Sequence, residues 1–170
     1  MGVFIKSFLA LFTYFVVVSS LYGQQRVEAS GILFEYEVEG KLLKCSLSAP
    51  TKGWVGVGFN SKNSIAGSDL LLFNIIGGKV SSTDLYVKGV GNPIKDTDNG
   101  GVHSIVVQGG NESNSVTEVH FTIPMDSKDA NDFVHILEKE AWLILAYSIS
   151  DDFKHHSRIR KHLPFRIGKP

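Results

Sequence analysis

Two adjacent histidines, His155 and His156, are the side chains of this 170-residue chain best suited to holding a transition metal. A neutral imidazole offers a ring lone pair, and His is the commonest protein ligand for such ions. They open a basic run, Lys154-His155-His156-Ser157-Arg158-Ile159-Arg160-Lys161-His162, directly behind Asp151 and Asp152. Arg158 and Arg160 carry guanidinium forks that match a carboxylate or other anion. The alternative is a solvated loop whose charge Asp151 and Asp152 neutralise. A divalent site built from the His pair and the Asp pair meets a geometric objection, because neighbours on a strand point to opposite faces.

Other chemistry-bearing residues read more plainly. Met125, the only methionine besides Met1, follows Pro124 at a strand end and fits an apolar plug. Cys45 is the sole cysteine, which excludes an internal disulfide, and its alternation with Leu43 and Leu47 predicts a buried thiol. The acidic stretch Lys95-Asp96-Thr97-Asp98-Asn99-Gly100-Gly101 lacks the bidentate Glu and flanking helices of an EF-hand, leaving only a looser oxygen-ligand site with Asp84. Gly89-Val90-Gly91 and Gly109-Gly110 precede no helix that could hold a phosphate. No Ser/His/Asp set or carboxylate pair has a catalytic context, so the chain reads as a binder and not an enzyme. Asn111-Glu112-Ser113 fits a glycosylation acceptor in a turn.

The elements that must position these residues are strands. Ile32, Phe34, Tyr36 and Val38 alternate with Glu35, Glu37 and Glu39; beyond Gly40, Leu43, Cys45 and Leu47 alternate with Lys44, Ser46 and Ser48, which predicts a hairpin. In Gly53-Trp54-Val55-Gly56-Val57-Gly58-Phe59, glycine alternates with bulky residues, so another sheet or a ligand should pack closely on the glycine face. Residues 69–76 form an apolar strand, and Gly77-Gly78 turns the chain into 79–87. Composition predicts a loop over 88–101. Further strands are expected at 103–108, 116–123, 133–137, 141–149 and 163–167. About nine to ten short strands, with no long amphipathic helix, predict an all-β, antiparallel, immunoglobulin-like β-sandwich.

Residues 1–23 carry Lys6, an apolar run from Phe8 to Val18 and the exit Ser19-Ser20-Leu21-Tyr22-Gly23, the parts of a cleavable signal peptide. The run is shorter than the roughly 20 apolar residues that span a bilayer. The chain is therefore expected to be secreted or periplasmic, with one domain at 24–170 and no transmembrane segment after cleavage. Losing Lys6 takes the net charge from 0 to −1. Nucleic acid and anionic membranes attract basic surfaces, so neither is an expected partner.

Several stretches in this order resemble a DOMON domain, the extracellular sandwich found beside dopamine β-hydroxylase and in the cytochrome part of cellobiose dehydrogenase. They are Gly53 to Phe59, Gly67-Ser68-Asp69-Leu70, Asp84-Leu85-Tyr86, Thr117-Glu118-Val119-His120-Phe121, Ala146-Tyr147-Ser148, Ser150-Asp151-Asp152-Phe153, and His156 with Arg160. The resemblance covers about residues 30–168. It implies a module that binds haem b or a sugar and supports extracytoplasmic electron transfer. Haem-binding members hold iron between a Met and a His, from two loops at the end of the sandwich. The Met position falls on Ile65, which has no lone pair, and the His on His156, beside His155. His156 alone could hold five-coordinate iron, or a second histidine among His103, His120, His135 and His162 could replace the Met. The resemblance also makes Arg160 a cofactor contact, through the haem propionates, and Trp54 and Arg158 ligand contacts. The competing expectation is an interaction or structural sandwich that has lost its ligand, which Ile65 favours.

Overall fold

The computed structural model describes residues 24–169, so the expected signal peptide lies outside the described residues. The strands are β1 (Gln25–Ala29), β2 (Ile32–Glu39), β3 (Leu42–Ala49), β4 (Val55–Asn60), β5 (Asp69–Ile76), β6 (Lys79–Gly89), β7 (Asn92–Lys95), β8 (Val106–Ser113), β9 (Val116–Pro124), β10 (Glu140–Tyr147) and β11 (Ile159–Arg166). A five-stranded sheet in the order β1-β2-β3-β9-β8 faces a six-stranded sheet in the order β11-β10-β4-β5-β6-β7, every pairing antiparallel. The sandwich is the expected one, with eleven strands where nine or ten were counted. Among the described residues no helix is long and apolar enough to cross a membrane.

Alternation sets the inner faces. Phe34 and Tyr36 on β2, Leu43, Cys45 and Leu47 on β3, and Val119, Phe121 and Ile123 on β9 point inward from one sheet. Val55, Val57 and Phe59 on β4, Leu71 and Phe73 on β5, and Leu143 and Leu145 on β10 meet them from the other. The Phe73 and Phe121 rings, one from each sheet, lie 4.4 Å apart between centroids. Full burial of each such side chain stabilises the fold by about 1.5–3 kcal/mol. Cys45 sits in this core, where burial pushes its thiol well up, and Met125 packs against the core edge as expected.

Tight turns fix the register. Gly77 and Gly78 both have positive φ, +60° and +78°, the requirement of the two-residue type I′ turn that matches strand twist. Asn114 (φ +50°) and Ser115 (φ +62°) do the same between β8 and β9 without a glycine, so the turn expected over 109–115 shrinks to two residues and β8 runs on through Gly109 and Gly110.

Four other expectations change. Residues 88–101 are not all loop, since they hold β7 and a short 3-10 helix, Asp96–Asn99. Residues 133–137 form no strand: Phe133 and His135 turn inward onto Phe59 while His135 N–H is taken by the Met125 carbonyl. The polar pattern of Gln25–Ala29 concealed β1. The last strand starts at Ile159, four residues before the expected 163, because its backbone pairs along the whole of β10. Arg160, Lys161 and His162 are therefore strand residues.

Candidate functional site

The outer face of the six-stranded sheet is where the candidate residues gather. With Val55, Val57 and Phe59 of β4 in the core, Gly56, Gly58 and Asn60 must face outward. Cross-strand register gives Gly56 the neighbours Ala146 and Leu72, and Gly58 the neighbours Ile144 and Leu70. One strand further out, Arg160 pairs with Ala146 and His162 with Ile144. The face is thus glycine and aliphatic at its centre, with a guanidinium and an imidazole along one side.

The glycines make room for the chain's own side chains. A Cβ on Gly56 would meet Leu72 Cδ2 at 2.5 Å and Trp54 Cζ3 at 3.4 Å. Trp54, Leu72, Leu85 and Ala146 form a small buried cluster there, with Leu70 and Phe153 packed against it. Trp54 is only 4% exposed, so it is a wall of this face and not a free aromatic platform. Its indole N–H donates to the His155 carbonyl (3.2 Å), which ties the histidine segment to the sheet.

Two loops close over this face. The first, residues 61–68, carries Ile65. The Asn60 side-chain amide donates to the Ser64 carbonyl (2.6 Å) and the Ala66 carbonyl (3.1 Å), and Ser68 Oγ donates to the Ile65 carbonyl (2.8 Å). Asn63 Oδ1 lies 3.1 Å from His162 Nδ1, so this loop reaches across to β11. Burial and the adjacent Arg160 charge both lower the His162 pKa.

The second is residues 148–158. Ser148 N–H donates to the Trp54 carbonyl and Trp54 N–H to the Ser150 carbonyl. A Cβ on Gly53 would strike Ser148 O and Ser150 N at 2.5 Å, so only glycine lets this segment cross so close. Asn74, facing outward on β5, donates its amide to the Asp151 carbonyl (2.7 Å). The His155 Nδ1 atom lies 3.0 Å from both Ser148 Oγ and the His156 carbonyl. A carbonyl can only accept, so Nδ1 carries the proton and Nε2 keeps the lone pair. His155 and His156 are exposed and lie in a turn outside any strand, so the opposite-face objection to their acting together does not apply. Arg158 and Arg160 are also exposed.

Ile65 and His156 were expected on loops at one end of the sandwich. Their loops instead leave from opposite ends of β4, one after Asn60 and one beside Trp54, and border the same outer face. Asn60 and Trp54, which hold the two loops, are six residues apart, about 20 Å along the extended chain. His162, on the strand beside the Ile65 loop, belongs to this constellation. Sequence reading had left it among four undifferentiated histidines. His103 bonds Ser82, His120 pairs with Glu118 on the other sheet, and His135 is buried, so none of those three joins it.

Residues 28–148 match the model of the DOMON domain, most of the described chain. The chain belongs to the DOMON family. A Homo sapiens relative named "Putative DBH-like monooxygenase protein 2" is 26% identical over 132 residues, 75% of this chain but 26% of the human protein. The chain thus spans about a quarter of that relative's length. Among solved structures, the fold resembles the cytochrome b domain of pyranose dehydrogenase from Coprinopsis cinerea, with a TM-score of 0.63, 13% identity and coverage of 88% of this chain and 86% of that one. The cytochrome domain of Myriococcum thermophilum cellobiose dehydrogenase gives a TM-score of 0.57, 10% identity and coverage of 85% and 82%. At those identities the likeness establishes the fold. The DOMON match ends at Ser148, and the His155 to Arg160 segment lies beyond it.

A Met/His pair for haem iron does not fit this DOMON domain. Ile65 has no donor atom, and Leu72 and Trp54 occupy the space over Gly56. The imidazoles that border this face are His155 and His156 on one loop and His162 against the other.

Proposed function

We propose that this DOMON domain is an exported ligand-binding module, a binder and not a catalyst, that holds a small ligand on the outer face of its six-stranded sheet and serves an extracytoplasmic redox partner. One observation carries the reading: the loop of Ile65 reaches His162 and the loop of His156 is tied to Trp54, so both border the outer face that holds Gly56 and Gly58, with Arg160 on the neighbouring strand. Haem b is the ligand that the family resemblance suggests. Here His155 or His156, with or without His162, would hold it through imidazole nitrogen alone, and Arg158 and Arg160 would face its propionates.

The test is reconstitution of the purified protein with haem. A Soret band distinct from that of free haem is expected, weakened several-fold in His156→Ala and in His162→Ala. Ile65→Met should convert the spectrum toward low spin by adding a thioether.

A second reading is favoured by the packing of Leu72 and Trp54 over Gly56: a sandwich that has lost haem and uses the same face for a sugar or a protein partner. No Soret band beyond free haem selects it, and a glycan array then separates sugar from protein.

A further inference from the structure

Away from that face, at the end of the core, aspartates stand where apolar side chains belong. Asp69 shares the inner face of β5 with Leu71, Phe73 and Ile75, and Asp84 pairs directly with inward-facing Leu71. Asp96, the first residue of the 3-10 helix, and Asp132, on the connection from β9 to β10, join them. Single carboxylate oxygens of Asp69, Asp84 and Asp132 lie within 4.8 Å of one another, and the same holds for Asp96, Asp129 and Asp132. Asp132 is common to both triads.

These carboxylates are buried and short of partners. Asp69, Asp84 and Asp96 are 5%, 3% and 0% exposed. Asp69 Oδ2 accepts from Phe133 N–H (2.9 Å), and Asp84 Oδ2 accepts from Ser104 N–H (2.9 Å) and Oγ–H (3.1 Å). Their Oδ1 atoms, one Asp132 oxygen and both Asp96 oxygens have no hydrogen-bond donor. Among the described residues no Lys or Arg forms an ion pair with any of the four. Asp129 differs: backbone N–H groups of Val102 and Asn131 hold both of its oxygens.

A buried, unpaired carboxylate costs several kcal/mol, and neighbouring like charges add to that. Burial and mutual repulsion accordingly push Asp69 well up, and burial brings Asp84 to about 6. Two devices relieve such a cluster, a cation or a proton shared between Asp96 and Asp132. A shared proton satisfies one carboxylate pair and leaves Oδ1 of Asp69 and of Asp84 without a donor, whereas a hard cation beside Asp132 can take oxygens from that side of the cluster as well. Calcium accepts six to eight oxygen ligands in flexible geometry, whereas magnesium demands a tight octahedron.

We propose that Asp69, Asp84, Asp96 and Asp132 form a calcium site centred on Asp132, with Asp129 as a supporting residue. The ion would tie β5, β6, the 3-10 helix and the β9–β10 connection into one end of the sandwich. The EF-hand pattern is absent because the ligands come from four separate segments.

The experiment is calorimetric titration of the purified, chelator-treated protein with calcium chloride, alongside thermal melts with calcium, magnesium or excess chelator. One saturable site is expected, with Kd below about 1 mM as in extracellular calcium modules. Calcium should raise Tm by several degrees and magnesium by less. Asp132→Asn and Asp96→Asn should weaken binding at least tenfold yet leave the chelated protein no less stable than the parent, since each removes an unpaired buried charge. Asp126→Asn, outside the cluster, should change nothing. Absence of a saturable heat together with chelator-independent Tm would overturn the proposal in favour of the shared proton, as would full calcium binding by Asp132→Asn. The wild-type titration decides even if a variant fails to fold, and no outcome depends on haem.

Discussion

His135 shows what burial does to a single titratable group. It is 5% exposed, its ring stands edge-on to Phe59 at 4.5 Å and to Phe133 at 5.3 Å, and its Nδ1 has no partner. Desolvation lowers its pKa from 6.5 to about 4. Between those values the unfolded chain binds the proton and the folded chain does not, so stability is full above pH 6.5 and is lost as pH falls toward 4. The loss amounts to roughly 3 kcal/mol at 1.36 kcal/mol per pKa unit. Urea unfolding of the wild type and of His135→Phe at pH 7 and pH 4.5 should show the wild type losing about that much more; parallel losses would contradict a neutral buried imidazole. This burial was hidden in the sequence, because residues 133–137 alternate like a strand. Ile65 and His156 were legible as positions because side-chain type alone decides whether a donor exists. The aspartate cluster was legible only as a loose oxygen site joining the Asp96 stretch to Asp84; Asp69 and Asp132 join it through cross-strand register and a loop return.

At the scale of the element, period-2 patterning located most strands, and β5 matches its expected span of 69–76. It failed where a strand is short and only partly buried, as in β1, whose Val27 and Ala29 pack on the core, or where one edge is basic, as in β11, since hydrophobic alternation reports burial and not backbone pairing. The glycine pattern of β4 does mark close packing, but what packs there is Leu72 and Trp54 of the same sheet, where another sheet or a ligand was expected. Gly56→Val should therefore destabilise the domain by about 1–3 kcal/mol, the usual cost of overpacking. Gly77→Ala, with nothing within 4 Å but a φ of +60°, tests backbone strain alone. Denaturant midpoints separate the two: Gly56→Val should be rescued in part by Leu72→Ala, and Gly77→Ala should not.

For the molecule as a whole, an open sandwich leaves four edges, and here they are β1, β8, β7 and β11. An edge strand presents unpaired N–H and C=O groups on which a second chain can add a strand. β11 meets that hazard with Arg160, Lys161 and Arg166, all exposed, and with Pro164, which has no N–H to offer. The basic run, read from the sequence as a candidate anion site, also guards this edge against strand addition. Replacing Arg160 and Lys161 with Thr and Pro164 with Val should leave the fold intact and shift the protein from monomer to dimers or higher species in light scattering, more so at high concentration. A surface kept charged to stay single in solution is also one that an acidic partner can find from a distance.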